Sequence, residues 1–198
     1  MAQIIARKLK KTKSLKRRGL SIAGSNKNRE TNDFYPTPKE ITKALLEREH
    51  FEGSIWEPAC GKGDVSEVLI NAGYNNVFSS DLIDYGYGNK GDFFETDFTF
   101  DNIITNPPYK DGLAFILEAK KKSTKKIAMF LKTQFLESVS RYEMFQDEGY
   151  KLKVVYQFSK RVTLSRCGIK MKNSGMIAYA WYVWERDYAG PTELKWIR

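Results

Sequence analysis

From residue 54 onward the chain alternates short apolar runs with stretches whose apolar residues recur every three or four positions, the signatures of buried strands and amphipathic helices. Residues 54–57, 76–80, 102–105, 126–131, 154–158 and 176–185 read as strands, the last an aromatic-rich run through Trp181, Tyr182, Val183 and Trp184. Between them, residues 64–72 place Val65, Val68, Leu69 and Ala72 on one helical face, and residues 110–122 turn Leu113, Phe115, Ile116, Leu117 and Ala119 mostly inward. Residues 138–148 read as another helix. Upstream, the stretch from Asp33 to Pro38 is a stiff extended lead into a helix over residues 39–49, because proline suits a first helical turn. Gly73 closes the 64–72 helix. This alternation predicts an α/β fold: a mostly parallel sheet with helices on both faces, taking its ligands at the carboxyl ends of the strands. No internal repeat is present.

Composition adds one domain, one tail and a partner. With 198 residues, 41% of them hydrophobic, the chain fills a single core. The net charge of +9 is uneven: residues 1–29 hold ten Lys and Arg and no acid, which leaves −1 for residues 30–198. Such an arm has too few apolar residues to fold alone, but it can neutralise phosphates and release their counterions. Residues 1–29 therefore read as a flexible basic arm for nucleic acid, with a solubilising tail or an address signal as the alternative, and residues 30–198 as the domain. No apolar stretch approaches a bilayer span, and the basic N-terminus lacks the apolar core of a signal peptide, so a cytoplasmic chain is expected. Cys60, Cys167 and the single histidine, His50, form neither a zinc pattern nor a disulfide framework, so no metal is expected. A monomer is the default.

The chemistry concentrates in two loops. Asn106-Pro107-Pro108-Tyr109 directly follows the 102–105 strand. Its two prolines, with fixed φ and no N–H, carry the chain out of ladder or helix and hold its carbonyls toward whatever lies in front. The Asn106 oxygen and the Pro107 carbonyl can then accept two N–H bonds from an amine on a flat ring while Tyr109 stacks on that ring. Taken alone, the tetrapeptide also fits a plain turn. Glu57-Pro58-Ala59-Cys60-Gly61-Lys62-Gly63-Asp64 follows a strand and opens a helix, so Gly61 and Gly63 let the backbone approach a ligand. The incomplete GxGxxG disfavours a pyrophosphate cradle. Asp81, at the end of the next strand, can bind both ribose hydroxyls of an adenosine cofactor, with a turn role as the alternative. Gly91-Asp92-Phe93-Phe94 offers a carboxylate for an adenine amine beside an apolar ring.

Together these segments resemble the class I S-adenosylmethionine-dependent methyltransferases, specifically the adenine-N6 DNA methyltransferases with a (D/N/S)-P-P-(Y/F/W) loop. The resemblance covers roughly residues 33–197. Its order, an extended Thr-Pro segment, then the glycine loop, then the Pro-Pro loop, is that of the gamma arrangement. The segments 132–137, 158–162 and 178–184 look like the short enzymes of bacteriophages and prophages, which implies a bacterial or phage-infected host cell. The resemblance implies a Rossmann-like fold with a seven-stranded, mostly parallel sheet, and S-adenosylmethionine as methyl donor. It implies Thr37 near the donor's carboxylate, Glu57 and the Ala59 to Gly63 loop near its methionine part, Asp81 at its ribose, and Asp92 with Phe93 at its adenine. Asn106, Pro107, Pro108 and Tyr109 are the implied catalytic residues, with Phe158 covering the other face of a flipped base. Arg161, Arg166 and Lys170 are candidate contacts to the DNA. Because little more than residues 165–174 separates the last two strands, short or relaxed sequence recognition is expected. RNA adenine methylation, protein glutamine N5-methylation and a non-catalytic nucleic-acid-binding relative remain as alternatives.

Overall fold

A computed structural model describes residues 35–164 and 177–198. They belong to one compact unit, residues 32–198. The basic arm, Arg166 and Lys170 lie outside the described residues. Helix α1 (Lys39–Leu46) buries Ile41, Thr42, Ala44 and Leu45, the three-to-four spacing its sequence carries. It stops before residue 49 because the Glu49 carboxylate is drawn inward, accepting from Lys126 Nζ and Tyr156 Oη at 2.8 Å each. Strand β1 (Ile55–Glu57) leads through the glycine loop into α2 (Asp64–Asn71), followed by β2 (Val77–Asp81), a two-residue β3 (Asn89–Lys90) and β4 (Phe100–Thr105). After the Pro-Pro loop come α3 (Gly112–Lys122), β5 (Ser123–Lys132), α4 (Tyr142–Phe145), β6 (Tyr150–Phe158), β7 (Tyr179–Arg186) and β8 (Glu193–Ile197).

The sheet order is β3-β2-β1-β4-β5-β7-β6-β8. All neighbours are parallel except β7, which runs antiparallel between β5 and β6. One face packs against α1 and α2 through Leu45, Val65 and Leu69; the other packs against α3 through Phe115, Ile116 and Ala119. The order turns at β1 and β4, so the glycine loop and the Pro-Pro loop leave adjacent strands at the topological switch point, where α/β sheets place ligands. No helix among the described residues is long and apolar enough to cross a membrane.

Two expectations need correction. Residues 138–148 form only a 3-10 turn (Val139–Arg141) and the four-residue α4. Met144 is the one residue of these two elements that is buried, and Val139 is 95% exposed, so no apolar face exists to hold a longer helix. The sheet has eight strands rather than seven. β8 pairs with β6 from Val154↔Glu193 to Phe158↔Ile197; as an edge strand it buries only Ile197 and leaves Leu194 and Trp196 exposed, and its five residues are too short a run to mark a strand.

Candidate active site

The glycine loop is built by backbone conformations that only glycine adopts freely. Gly61 and Gly63 have φ of 52° and 87°, and Gly63 caps α2. A Cβ on Gly63 would stand 2.5 Å from the Tyr87 ring. The loop is tied to β2: Cys60 N–H donates to the Ser80 carbonyl at 3.0 Å, and Gly61 N–H donates to Asp81 Oδ2 at 2.9 Å. Asp81 Oδ1 accepts from Ile83 N–H at 3.0 Å. Each Asp81 oxygen keeps a second lone pair for a hydroxyl donor.

Beneath the loop lies Glu57, fully buried, with Oε2 accepting from the Ser66 N–H at 2.8 Å and from the Ser66 hydroxyl. Burial raises its pKa well above the ordinary carboxylate value; the Ser66 bonds oppose that rise, and the nearby Asp64 and Asp81 carboxylates add to it. Burial likewise raises Asp64, reinforced by the Glu67 carboxylate and opposed by Lys39 and the Thr37 backbone.

Thr37 also joins the second loop. Its hydroxyl accepts from Asn106 Nδ2 at 3.0 Å, and the same amide nitrogen lies 3.4 Å from the Tyr35 carbonyl. With its N–H2 so engaged, the Asn106 carbonyl has one orientation. Its Oδ1 is buried and has no hydrogen-bond partner among the described residues. Three residues on, the Tyr109 ring is flanked by two further tyrosines and a lysine. The Tyr109 ring lies 6.4 Å from Tyr35, 5.6 Å from Tyr179 and 5.3 Å from Lys132 Nζ.

The structure thus brings Thr37, Glu57, Ala59, Gly61, Gly63, Asp81 and Asn106 to Tyr109 onto the carboxyl edge of β1, β2 and β4. Asp92 caps its own turn, accepting from Phe94 N–H at 2.8 Å. Phe93 is 2% exposed in the core against Trp56 and Phe115, whereas the adjacent Phe94 is 43% exposed. Phe158 is 7% exposed and packs edge-on to Phe130; the ring of the late strands nearest Tyr109 is Tyr179. Arg161 is exposed beyond β6. Tyr35, Lys132 and Tyr179 were not foreseen as site residues. For Lys132 and Tyr179 the usable signal was position, at the end of one strand and the start of the antiparallel one beside it; Tyr35, which meets the site through its carbonyl and its ring, had none.

No protein-family model and no curated protein matches the sequence. Solved structures match in fold. A proposed RNA methyltransferase from Pyrococcus horikoshii superposes with a TM-score of 0.61 at 15% identity, over 85% of this chain and 95% of that one. The modification subunit of a proposed type I restriction enzyme from Vibrio vulnificus gives 0.55 at 14% identity, over 96% of this chain and 49% of that one, so this chain spans about half its length. The magnesium protoporphyrin IX methyltransferase from Synechocystis, solved with bound SAM, gives 0.51 at 14% identity over 74% and 76%. At these identities the likeness speaks for architecture alone: the chain has the Rossmann-like α/β fold of the class I methyltransferases.

Proposed function

We propose that this chain transfers a methyl group from S-adenosylmethionine to the exocyclic N6 amine of adenine in DNA. The Asn106 amide carries the reading: its N–H2 is held by Thr37 and Tyr35, so its buried Oδ1 is an oriented acceptor with no protein donor among the described residues. An adenine amine is a poor nucleophile because its lone pair is delocalised into the ring. Asn106 Oδ1 and the Pro107 carbonyl draw its two hydrogens out of the ring plane and raise electron density on nitrogen as the methyl carbon arrives. The sulfonium donor supplies the methyl group and a neutral thioether as leaving group. The N–C bond forms as the S–C bond breaks, and the nitrogen then releases one proton to water, so no strong base is needed.

The cradle suits that donor. Positive-φ glycines at 61 and 63 permit close backbone approach, the Asp81 oxygens have lone pairs for ribose hydroxyls, and Asp92 stands beside the exposed Phe94 ring for the donor's adenine. Thr37 and Ala59 would lie at its methionine end, with Glu57 buried beneath the loop that holds it. Tyr109 would stack on the flipped base, and the 1–29 arm would neutralise phosphates and help offset the few kcal/mol of flipping. The fold likeness to a restriction-modification subunit and to a SAM-bound methyltransferase agrees with this reading. RNA is the second reading, favoured by the structure with a TM-score of 0.61, which is named as acting on RNA.

One assay tests both. Labelled S-adenosylmethionine is supplied separately with duplex DNA, single-stranded DNA, RNA and total protein, and the product is digested to identify the modified base or residue. N6-methyladenine from DNA is expected; label found only in RNA or in protein would overturn the assignment.

A further inference from the structure

The loops at the carboxyl edge carry opposite charge on the two sides of Asn106. Following β1 to β3 stand Asp64, Asp81, Asp84 and Asp92, with Lys62 and Lys90. Following β5 and β6 stand Lys132, Arg141, Lys160 and Arg161, with one acid, Glu137, in residues 132–142 and none in 159–164. At the far ends of β5 and β6, by contrast, lysines are neutralised: Lys126 by Glu49 at 2.8 Å, Lys153 by Glu185 at 2.9 Å, Lys151 by Glu148 at 3.0 Å. Among the described residues Lys132, Lys160 and Arg161 have no carboxylate within 4.0 Å.

Exposed cations are common, but these stand on held backbone. The turn after β6 is fixed at both ends. The Ser159 N–H and hydroxyl both donate to the Ile197 carbonyl, at 2.9 and 3.0 Å, and Val162 is buried in the core. Lys160 and Arg161 lie between these anchors and face solvent. Lys132 is held over the Tyr109 ring. The strand order places β7 alone between β5 and β6, so the strand ends that lead to the two groups of cations are two strand spacings apart, about 10 Å, with Tyr179 at the start of β7 between them.

We infer that Lys132, Lys160 and Arg161 form a phosphate track, along which the backbone of a polynucleotide substrate crosses the β5–β7–β6 edge. The inference rests on the reading of Asn106 given above and adds where the polymer lies. A polyanion is repelled from the Asp-lined β1–β3 edge, while a cationic methyl donor is attracted to it, so the two ligands are sorted to opposite sides of the reacting atoms by charge.

The test uses the full chain and a fluorescent DNA duplex, comparing Lys160→Gln/Arg161→Gln with Lys62→Gln/Lys90→Gln. Each pair removes two positive charges from exposed positions, and melting curves establish that both remain folded. For the first pair, the slope of log binding constant against log salt should shrink by about 1.8, two phosphate contacts at ~0.9 each, and the KM for DNA should rise about tenfold. S-adenosylmethionine affinity measured without DNA should stay unchanged, and the second pair should keep the wild-type slope. Equal slopes for both pairs, whether both reduced or both unchanged, would overturn the track. The binding slope judges the track alone. Absence of methyl transfer by the wild-type chain to any nucleic acid judges the Asn106 reading, so either can fail separately.

Discussion

Removing the Asn106 side chain should separate chemistry from binding. Asn106→Ala deletes the oriented acceptor and, with it, the bonds of Nδ2 to Thr37 Oγ1 at 3.0 Å and to the Tyr35 carbonyl at 3.4 Å. The second contact is long, so the ground-state loss is close to one net hydrogen bond, about 1 kcal/mol. In a unit of residues 32–198 that lowers the melting temperature by about 2–4 °C. On the proposed mechanism the rate should suffer more, because there Oδ1 acts on hydrogens whose positive charge grows only as the methyl carbon arrives. Removing one preorganised partner of that kind costs about 100- to 1000-fold, roughly 3–4 kcal/mol. Single-turnover transfer of labelled methyl, with equilibrium binding of S-adenosylmethionine measured in parallel, reads both quantities. Thr37→Val keeps Oδ1 but removes the stronger tether, so it should cost less, about tenfold, as the amide samples its flipped orientation. If Asn106→Ala retained more than about a tenth of the wild-type rate, or if Thr37→Val were the more damaging change, the oriented-acceptor reasoning would be refuted.

Three further outcomes are expected. Gly63→Ala forces a side chain onto φ 87° with its Cβ 2.5 Å from the Tyr87 ring, and should cost about 2–4 kcal/mol in denaturant unfolding. In a Tyr87→Ala background only the backbone share of about 1–2 kcal/mol should remain; an unchanged cost there would show that the ring is not the obstacle. Burial keeps Glu57 protonated well above its ordinary value of 4.5, so the folded state binds more protons than the unfolded one in that window, and this group's contribution to stability falls as pH rises through it. Glu57→Gln should therefore lose less melting temperature than wild type between pH 5 and pH 8, and equal losses would contradict the buried-acid account. Burial, reinforced by the Glu57 and Asp81 carboxylates, pushes the Cys60 thiol up to about 12. In a Cys167→Ser chain a thiol reagent at pH 8 should label Cys60 only at the rate of unfolding, and rapid labelling of the native protein would count against this.

Most of the scaffold was legible because its signals are local. The periodicity of Val65, Val68 and Leu69 was enough to place α2, and the apolar 126–131 run was enough to place β5 within a few residues at each end. Failures came where context outweighed pattern. In the 138–148 segment only Met144 is buried, too narrow an apolar face to hold a longer helix, and β8 is held by its ladder to β6 with only Ile197 buried. The backbone turns of the glycine loop and the Pro-Pro loop were readable because glycine and proline constrain backbone geometry wherever they occur. Phe93 and Phe158 were not separable from surface rings by sequence, since a Phe reads the same in a core as at a mouth. The deciding fact is what packs on it, and for Phe158 that is Phe130, 28 positions earlier.

Short-range constraint was thus enough to establish an α/β chain with a glycine loop after one strand, a Pro-Pro loop after another, and positive charge concentrated in the first 29 residues. Long-range convergence supplied the rest. The Asn106 amide is oriented by Tyr35 and Thr37, 71 and 69 positions away, and Tyr179 reaches Tyr109 because β7 enters the sheet antiparallel beside β5. Among the described residues Lys132, Lys160 and Arg161 lack a carboxylate partner, whereas at the other end of the same strands Lys126 and Lys153 have Glu49 and Glu185. Strand register and side-chain packing set those meetings, and both depend on the whole sheet closing at once, a condition that no window of neighbouring residues contains.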